Sequence, residues 1–348
     1  MKLKSLLLGS AAAMIAVTGA RAADAVVAEP EPVEYVRVCD LYGAGFFYIP
    51  GTETCLNING YVRVEYEYLD NDTPPSDDQW RYRVRLNFDT RNETDYGTLR
   101  SQIRLQSDGN GGFNTLGFSQ TAGPGGVAGS VSQGDGFVGI DRALISLAGF
   151  RLGYSDSFTT TFHGYGNPTE VDDGYYGYDQ AIFFDYTYAA NGFEFGIGLQ
   201  DSFGDTNPAV GPHIDFDYYA GIAYGGSWGR VAASYIYEEN VDEGAFKLSA
   251  RVNVIEGLSI NGFYVGDDNG TTRQVAGPGE YAWGVGATYS FSPAFRVDAG
   301  YTDADFNDAG VVVVGARWNP VPGLSIRPTA SFFENDDQHY NIRVYRTW

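Results

Sequence analysis

The sequence predicts an all-β chain that folds as a transmembrane antiparallel β-barrel of about sixteen strands. Between residues 56 and 68, and again between 80 and 91, apolar and polar side chains alternate strictly. A period of two is typical of strands with one apolar and one polar face. A membrane barrel turns the first face to lipid and the second to a water-filled lumen. The spacing and the lengths of the connections, described below, favour this fold over a soluble sheet.

The first two strands show the two faces most clearly. One face of the first strand is apolar and consists of Leu56, Ile58, Val62, Val64, Tyr66 and Tyr68. Its other face is polar and consists of Asn57, Asn59, Tyr61, Arg63, Glu65 and Glu67. The apolar face of the second strand consists of Trp80, Tyr82, Val84, Leu86 and Phe88. Its polar face consists of Arg81, Arg83, Arg85, Asn87, Asp89 and Arg91.

Residues 1–22 have the pattern of a secretory signal peptide. Lys2 and Lys4 provide the positive start, residues 6–17 are mostly apolar, and Ala20-Arg21-Ala22 is a small-residue cleavage site. No other segment approaches the roughly 20 apolar residues of a transmembrane helix. If the mature chain spans a membrane, it therefore does so as a closed barrel.

Charge limits the classes of partner. Removal of Lys2, Lys4 and Arg21 leaves 19 basic against 44 acidic residues, a net charge of about −25 at pH 7. Nucleic acid is therefore not an expected partner. The only lysine left is Lys247 and the other basic residues are arginines, whose charge is permanent.

Cys39 and Cys55 are the only cysteines, and an exported chain enters an oxidising compartment. We expect a disulfide between them, and an N-terminal segment of residues 23–54 that carries Cys39 and lies at the periplasmic side or in the lumen. Metal binding is the alternative, but two cysteines with no nearby histidine make a poor site. We expect neither a metal nor a cofactor.

The barrel is expected to span residues 55–348. Sixteen segments of roughly strand length alternate with period two: 56–68, 80–91, 97–107, 137–147, 150–156, 180–188, 193–201, 214–224, 228–238, 245–254, 258–266, 280–291, 294–302, 309–318, 323–333 and 339–348. Short turns and longer polar loops connect them alternately, as in outer-membrane barrels with periplasmic short turns. A soluble sandwich or propeller has no reason to keep this rule.

Aromatic residues make up 15% of the chain, and many lie near strand ends on the apolar face. This distribution is typical of the girdles at the two membrane interfaces. The last strand is amphipathic and ends on Trp348, which predicts recognition by the outer-membrane assembly machinery, although Phe is the usual terminal residue.

The N-terminal stretch VEYVRVCDLYGAGFFYIPGTETCLNINGYVR, residues 33–63, resembles the signature of the alphaproteobacterial porin family, the general porins of the rhizobial and brucella type. The resemblance continues through ALISLAGFRLGYSDSF at 143–158 and the C-terminal strand. It implies a homotrimer in the bacterial outer membrane, in contact with lipid and lipopolysaccharide. It also implies passive diffusion of small hydrophilic solutes, and a loop after the fifth strand, residues 156–179, that folds inward to narrow the pore.

The residues themselves predict a constriction. We define the basic wall as the arginines on the polar faces of the first four strands: Arg63, Arg81, Arg83, Arg85, Arg100, Arg104 and Arg142. Glu170, Asp172 and Asp173 in the loop would face this wall and create a transverse field. The alternative is that these three carboxylates only solvate an external loop. Because the chain is acidic, we expect a weak preference for cations.

Two rival functions remain open. Tyr165, Tyr175, Tyr176 and Tyr178 would suit a sugar-selective channel. A barrel enzyme would need an exposed acid-histidine pair, for which His163 near Asp172 is the candidate. The three histidines have no metal-ligand spacing.

Overall fold

The computed structural model describes residues 37–70, 77–109, 117–118, 137–164, 179–201, 216–267, 270, 279–305 and 310–348. The expected signal peptide lies outside these residues. The strands are β1 (Phe46–Tyr48), β2 (Cys55–Asp70), β3 (Asp77–Thr94), β4 (Gly97–Gly109), β5 (Gly117–Phe118), β6 (Phe137–Leu147), β7 (Phe150–Asp156), β8 (Gln180–Ala190), β9 (Phe193–Asp201), β10 (Asp217–Gly226), β11 (Gly229–Glu238), β12 (Glu243–Ile255), β13 (Leu258–Asp267), β14 (Tyr281–Ser292), β15 (Phe295–Ala304), β16 (Val311–Val321), β17 (Leu324–Phe333) and β18 (Gln338–Thr347). A 3-10 helix spans Asp40–Tyr42, and a short helix, α1, spans Phe158–Phe162.

Sixteen of these strands close into a ring. From β2 onward, and leaving out β5, each strand pairs antiparallel with the next, and β18 pairs with β2 from Gln338↔Asp70 to Thr347↔Tyr61. Each of the sixteen predicted segments coincides with one strand, with differences only at the ends. Closure leaves no free sheet edge, which is the condition for a sheet to cross lipid. The all-β antiparallel barrel is confirmed.

The two faces of the strands are also as predicted. Ile58, Val62 and Val64 are exposed on the outside, whereas Arg63 and Glu65 are buried on the inside. The outer surface is therefore the apolar face, and the charged face lines the lumen. No helix in the described part of the chain is long and apolar enough to cross a membrane.

One end of the barrel carries two-residue turns only. All seven connections there, from the β3–β4 turn to the β16–β17 turn, consist of two residues. In two of them both turn residues have positive φ: Ala148 and Gly149 at 54° and 89°, and Asn191 and Gly192 at 53° and 83°. Two-residue turns with positive φ at both positions are type I′ turns, whose twist matches that of the two strands they connect. We refer to this end as the short-turn end.

Aromatic side chains pair on the outer surface near both ends. Near the short-turn end, Phe150 packs on Tyr186 at 4.7 Å between ring centroids, and Phe193 packs on Tyr224 at 4.6 Å. Near the other end, Tyr66 packs on Trp80 at 5.2 Å. These pairs lie where interface girdles are expected.

The N-terminal segment is fastened at the short-turn end. Cys39 and Cys55 form the predicted disulfide, with their Cα atoms 6.0 Å apart. Strand β1 pairs with residues 55–57 of β2, beyond the point where β18 ends. The Arg91 guanidinium lies 4.8 Å from the Phe46 ring centroid, and burial together with a hydrogen bond to Glu93 raises the pKa of Tyr42 to about 12.

Candidate functional site

The barrel places the seven arginines of the basic wall on one side of the lumen but at different heights, since Arg100 is opposite Arg91, ten residues along β3 from Arg81. They lie on the inward face of β2, β3, β4 and β6, four strands that are consecutive neighbours in the ring. Two pairs are directly opposite each other in the register, Arg63↔Arg83 and Arg104↔Arg142. Like charges opposite each other destabilise a sheet, so this arrangement requires counter-charges nearby.

Glu65 supplies counter-charge at the junction of the first and last barrel strands. It is fully buried and accepts hydrogen bonds from Arg63 at 2.8 Å and from Arg343 at 2.6 Å. On the same strand, Glu67 forms an ion pair with Arg81 at 3.1 Å. These carboxylates hold the guanidinium groups in fixed positions against the barrel wall.

Further carboxylates interleave with the arginines of β3 and β4. Asp89 accepts hydrogen bonds from Arg100 at 2.6 Å and from Arg91 at 2.8 Å. Asp108 pairs with Arg83 at 2.5 Å. The counter-charges therefore come from neighbouring strands of the wall itself.

A β-bulge adds a carboxylate that strict alternation would not place in the lumen. Arg104 pairs with Arg142 in the register but Leu105 pairs with Ile140, so Asp141 is the extra residue. Asp141 forms ion pairs with Arg104 at 3.1 Å and Arg85 at 3.4 Å. A bulge breaks the period of two and turns two successive side chains, here those of residues 141 and 142, inward.

Asp156, at the end of β7, completes the network. It is almost fully buried and lies 3.1 Å from Arg142 and 3.5 Å from Arg104. Six carboxylates pair with the arginines in ways that the sequence did not predict: Glu65, Glu67, Asp89, Asp108, Asp141 and Asp156. A signal was present for Glu65, Glu67 and Asp89, because they share the polar face with the arginines.

Residues 157–164 lie inside the barrel and lead from Asp156, beside the basic wall, across to strands on the other side of the ring. Helix α1 is capped by Ser157, whose hydroxyl accepts a hydrogen bond from the Thr160 amide. Phe158 and Phe162 are buried in a cluster with Tyr219, Ala223, Ala232, Ile236 and Ala245. These partners come from β10, β11 and β12, so the start of the loop after β7 packs on the inner face of these strands.

Glycines provide the space for the two phenylalanine rings. A Cβ atom on Gly196 would overlap the Phe158 ring, at only 2.3 Å from its Cε2. A Cβ atom on Gly221 would lie 2.8 Å from Phe162. Only glycine allows α1 to approach the wall this closely.

His163 and Arg230 fix the end of α1. His163 Nδ1 lies 2.7 Å from Ser249 Oγ, and its Nε2 lies 2.8 Å from Ser234 Oγ. Arg230 donates a hydrogen bond to the Phe162 carbonyl oxygen at 2.6 Å. Burial, with Lys247 and Arg230 nearby, lowers the pKa of His163 to about 3, so the ring is neutral and bridges two hydroxyl groups.

The predicted acidic residues Glu170, Asp172 and Asp173, and the tyrosines at 165, 175, 176 and 178, lie outside the described residues. His163 is 6% exposed, so it does not offer the exposed acid-histidine pair of the enzyme hypothesis. Among the described residues, no group of three or more His, Cys, Asp or Glu side chains could hold a metal ion.

Comparison with known proteins agrees with this architecture. A family model described as the porin subfamily matches residues 24–347. The porin Omp2b of Brucella canis is 36% identical over 356 residues, covering 95% of this chain and 92% of the relative. The porin Omp2a of Brucella ovis is 37% identical over 355 residues, covering 95% and 98%.

Solved structures show the same fold at low identity. A variant of the Rhodopseudomonas blastica porin, 13% identical, covers 84% of this chain and 100% of its own with a TM-score of 0.58. The family match extends over nearly the whole chain, and the closed ring of sixteen strands with an inward charged face is the architecture that a water-filled channel requires. The chain therefore belongs to the porin subfamily and is a β-barrel channel protein of the bacterial outer membrane.

Proposed function

We propose that small hydrophilic solutes and ions diffuse passively through the lumen, and that the basic wall forms one side of its narrowest part. The observation that carries this proposal is the placement of two groups on opposite sides of the ring. The arginines lie on β2–β6, and Phe158 and Phe162 of α1 pack against β10–β12. A solute has to pass between them.

The basic wall supplies fixed positive charge at this level. Its arginines follow β2, β3, β4 and β6, and the buried carboxylates Glu65, Asp89 and Asp156 hold several of the guanidinium groups in place. Glu170, Asp172 and Asp173 follow α1 in the chain, and we propose that they face the wall. The resulting transverse field would orient dipolar solutes and separate the paths of cations and anions.

Single-channel recording in a planar bilayer with a salt gradient tests the proposal. Variants with Glu170→Gln, Asp172→Asn and Asp173→Asn are expected to shift the reversal potential toward anion selectivity and to change the conductance. Glu239→Gln, in an exposed turn between β11 and β12, is a matched control for loss of one negative charge. Unchanged selectivity in the triple variant would contradict the role of the loop carboxylates.

The same recordings separate general diffusion from sugar selectivity. A general pore gives ohmic conductance with no saturable block by one sugar. Block that saturates with a particular oligosaccharide would favour a substrate-specific channel.

We also propose that the protein is a homotrimer surrounded by lipid and lipopolysaccharide, and that the assembly machinery recognises the strand ending at Trp348. The Trp348 amide donates a hydrogen bond to the Gly60 carbonyl oxygen at 3.3 Å, so the terminal residue takes part in the pairing of β18 with β2. This contact supports the proposed recognition of the last strand. Conductance steps in groups of three would support the trimer. A Trp348→Ala variant is expected to insert less efficiently into membranes, measured as the heat-modifiable fraction.

A further inference from the structure

A second group of arginines lines the lumen near the short-turn end, next to the basic wall in the ring. It comprises Arg296 on β15, Arg317 on β16, Arg327 on β17 and Arg343 on β18, four neighbouring strands. Arg296 is directly opposite Arg317 in the register, and Arg327 is directly opposite Arg343. We call Arg296, Arg317 and Arg327 the exit cluster, because Arg343 pairs with Glu65 and so belongs to the basic wall network.

The exit cluster has less counter-charge than the basic wall. Along the described inward positions of β14–β17, Asp298 is the one carboxylate, and it lies within electrostatic range of Arg296 and Arg327. Glu256, in the exposed β12–β13 turn, is the other carboxylate close to the cluster. Among the described residues, two carboxylates thus lie near the three guanidinium groups, and Glu256 is screened by solvent.

An aromatic side chain orients one guanidinium of the exit cluster. Arg327 lies over the Tyr345 ring at 4.2 Å from the centroid, and its Nε donates a hydrogen bond to Ser325 Oγ at 3.2 Å. Stacking of this kind fixes the plane of a guanidinium and therefore the direction of its edge. That edge is the part of arginine that binds carboxylate or phosphate in a bidentate manner.

Two hollows adjoin these arginines at the rim. One, of about 530 Å³, is lined by Arg296 and Arg317 together with the hydroxyl and amide side chains of Ser290, Ser292 and Asn319. A neighbouring one, of about 500 Å³, is lined by Arg327, Ser325 and Asn319 together with proline and aliphatic residues of the adjoining turns. Each is large enough for a solute of about sugar size. Their lining combines cationic groups with neutral donors and acceptors.

We infer that the exit cluster is a low-affinity binding site for small polyhydroxylated anions, such as sugar phosphates, at the short-turn end of the pore. The arginines bind the phosphate, and the serine and asparagine side chains bind hydroxyl groups. This inference rests on the proposed diffusion function, since the anion reaches the site through the lumen or from the short-turn side.

The test is block of the open channel by glucose 6-phosphate, added to one side of a planar bilayer at a time. In the unaltered protein, addition from the side of the short turns should block at a several-fold lower concentration than addition from the other side. Glucose should not block, and inorganic phosphate should block more weakly because it lacks the hydroxyl groups. Equal block from both sides would overturn the inference without any variant.

The double variant Arg296→Gln, Arg317→Gln should raise the half-blocking concentration from the short-turn side by about tenfold, equivalent to about 1.4 kcal/mol. Arg346→Gln is the matched control, because Arg346 lies on the outward face of β18 and donates to the Thr347 carbonyl oxygen. An unchanged half-blocking concentration in the double variant, or an equal increase in the control, would refute the site.

The conductance in potassium chloride alone keeps the two proposals separate. If it is absent, the diffusion function fails. If it is present and the block has no sidedness, only the exit cluster fails.

Discussion

Arg343 Nε donates a hydrogen bond to Glu65 Oε2 at 2.6 Å, and this contact joins the last barrel strand to the first. The two residues are directly opposite in the β18–β2 register and are separated by 278 positions in sequence. Glu65 also binds Arg63 on its own strand. The seam that closes the barrel therefore contains a buried carboxylate held between two guanidinium groups.

Replacing Glu65 with Gln should destabilise the barrel. Removal of one partner of a buried ion pair leaves the other charge uncompensated, which typically costs about 3–5 kcal/mol. The lumen contains water, so we expect the lower part of this range. Urea unfolding followed by tryptophan fluorescence measures the loss.

The control for Glu65→Gln is Glu239→Gln, since Glu239 is exposed in a turn. This change should alter the free energy of unfolding by less than about 0.5 kcal/mol. Equal stability of the two variants would show that the seam network contributes nothing to barrel closure.

Acid should loosen the attachment of α1 through His163. Its pKa is about 3 when it is packed between Ser234 and Ser249, against 6.5 for a free imidazole. As the pH falls, a His163 ring that has left this position is therefore protonated at a higher pH than a ring that stays packed there. The attachment is at full strength above pH 6.5 and weakens by at most about 1.4 kcal/mol per pH unit between 6.5 and 3.

Open-channel current noise against pH measures this effect and should rise below pH 6.5. A His163→Gln variant keeps hydrogen-bonding groups but does not titrate, so its noise should not change through this range. The same acid-dependent rise in both proteins would assign the effect to other groups.

A methyl group on Gly196 should displace α1 from the inner face of the strands on which it packs. The added Cβ would stand 2.3 Å from the Phe158 ring, and overpacking of this kind costs about 1–3 kcal/mol. Because the helix can move only toward the pore axis, the conductance of Gly196→Ala should fall. Gly226→Ala, where the nearest atom would be at 3.5 Å, should conduct normally. A normal conductance in Gly196→Ala would mean that α1 does not limit the pore.

Loss of the Asp89 charge should make the pore more selective for anions. Arg91 and Arg100 both donate to Asp89, so Asp89→Asn leaves two guanidinium groups without this carboxylate. In a wet lumen this change is worth about 0.5 kcal/mol, or roughly a twofold change in the permeability ratio. The reversal potential in a potassium chloride gradient measures it. Asp95→Asn in the β3–β4 turn has the same change in charge at an exposed site, and a shift as large as that of Asp89→Asn would argue for a general surface effect.

Removing the disulfide should release the N-terminal segment while the barrel remains closed. The bond links positions separated by 16 residues, a loop whose closure is worth about 3 kcal/mol in the chain-entropy model. In a Cys39→Ser, Cys55→Ser variant, faster hydrogen exchange should be confined to residues 38–57. Exchange that increases throughout β2 and β18 would instead make the disulfide a requirement for closure.

The ring of strands could be predicted from the sequence because its cause is local. Every barrel strand separates lipid from water, so alternation repeats in segments such as 56–68 and 97–107, and two-residue turns such as Asn191-Gly192 mark their ends. The disulfide could be predicted as well, since two cysteines in an exported chain allow one pairing. The positions of the seven arginines followed from the same alternation.

Only the tertiary structure decided which charges meet. Asp141 reaches the lumen through a bulge, which breaks the local period that the prediction used. Glu65 meets Arg343, and His163 meets Ser249, across 278 and 86 positions of sequence. The sequence by itself determined which face of each strand is polar, because lipid and water act on every residue separately. Strand register and ring closure determine which charges pair and where α1 packs. Both bring together residues that no local sequence pattern relates.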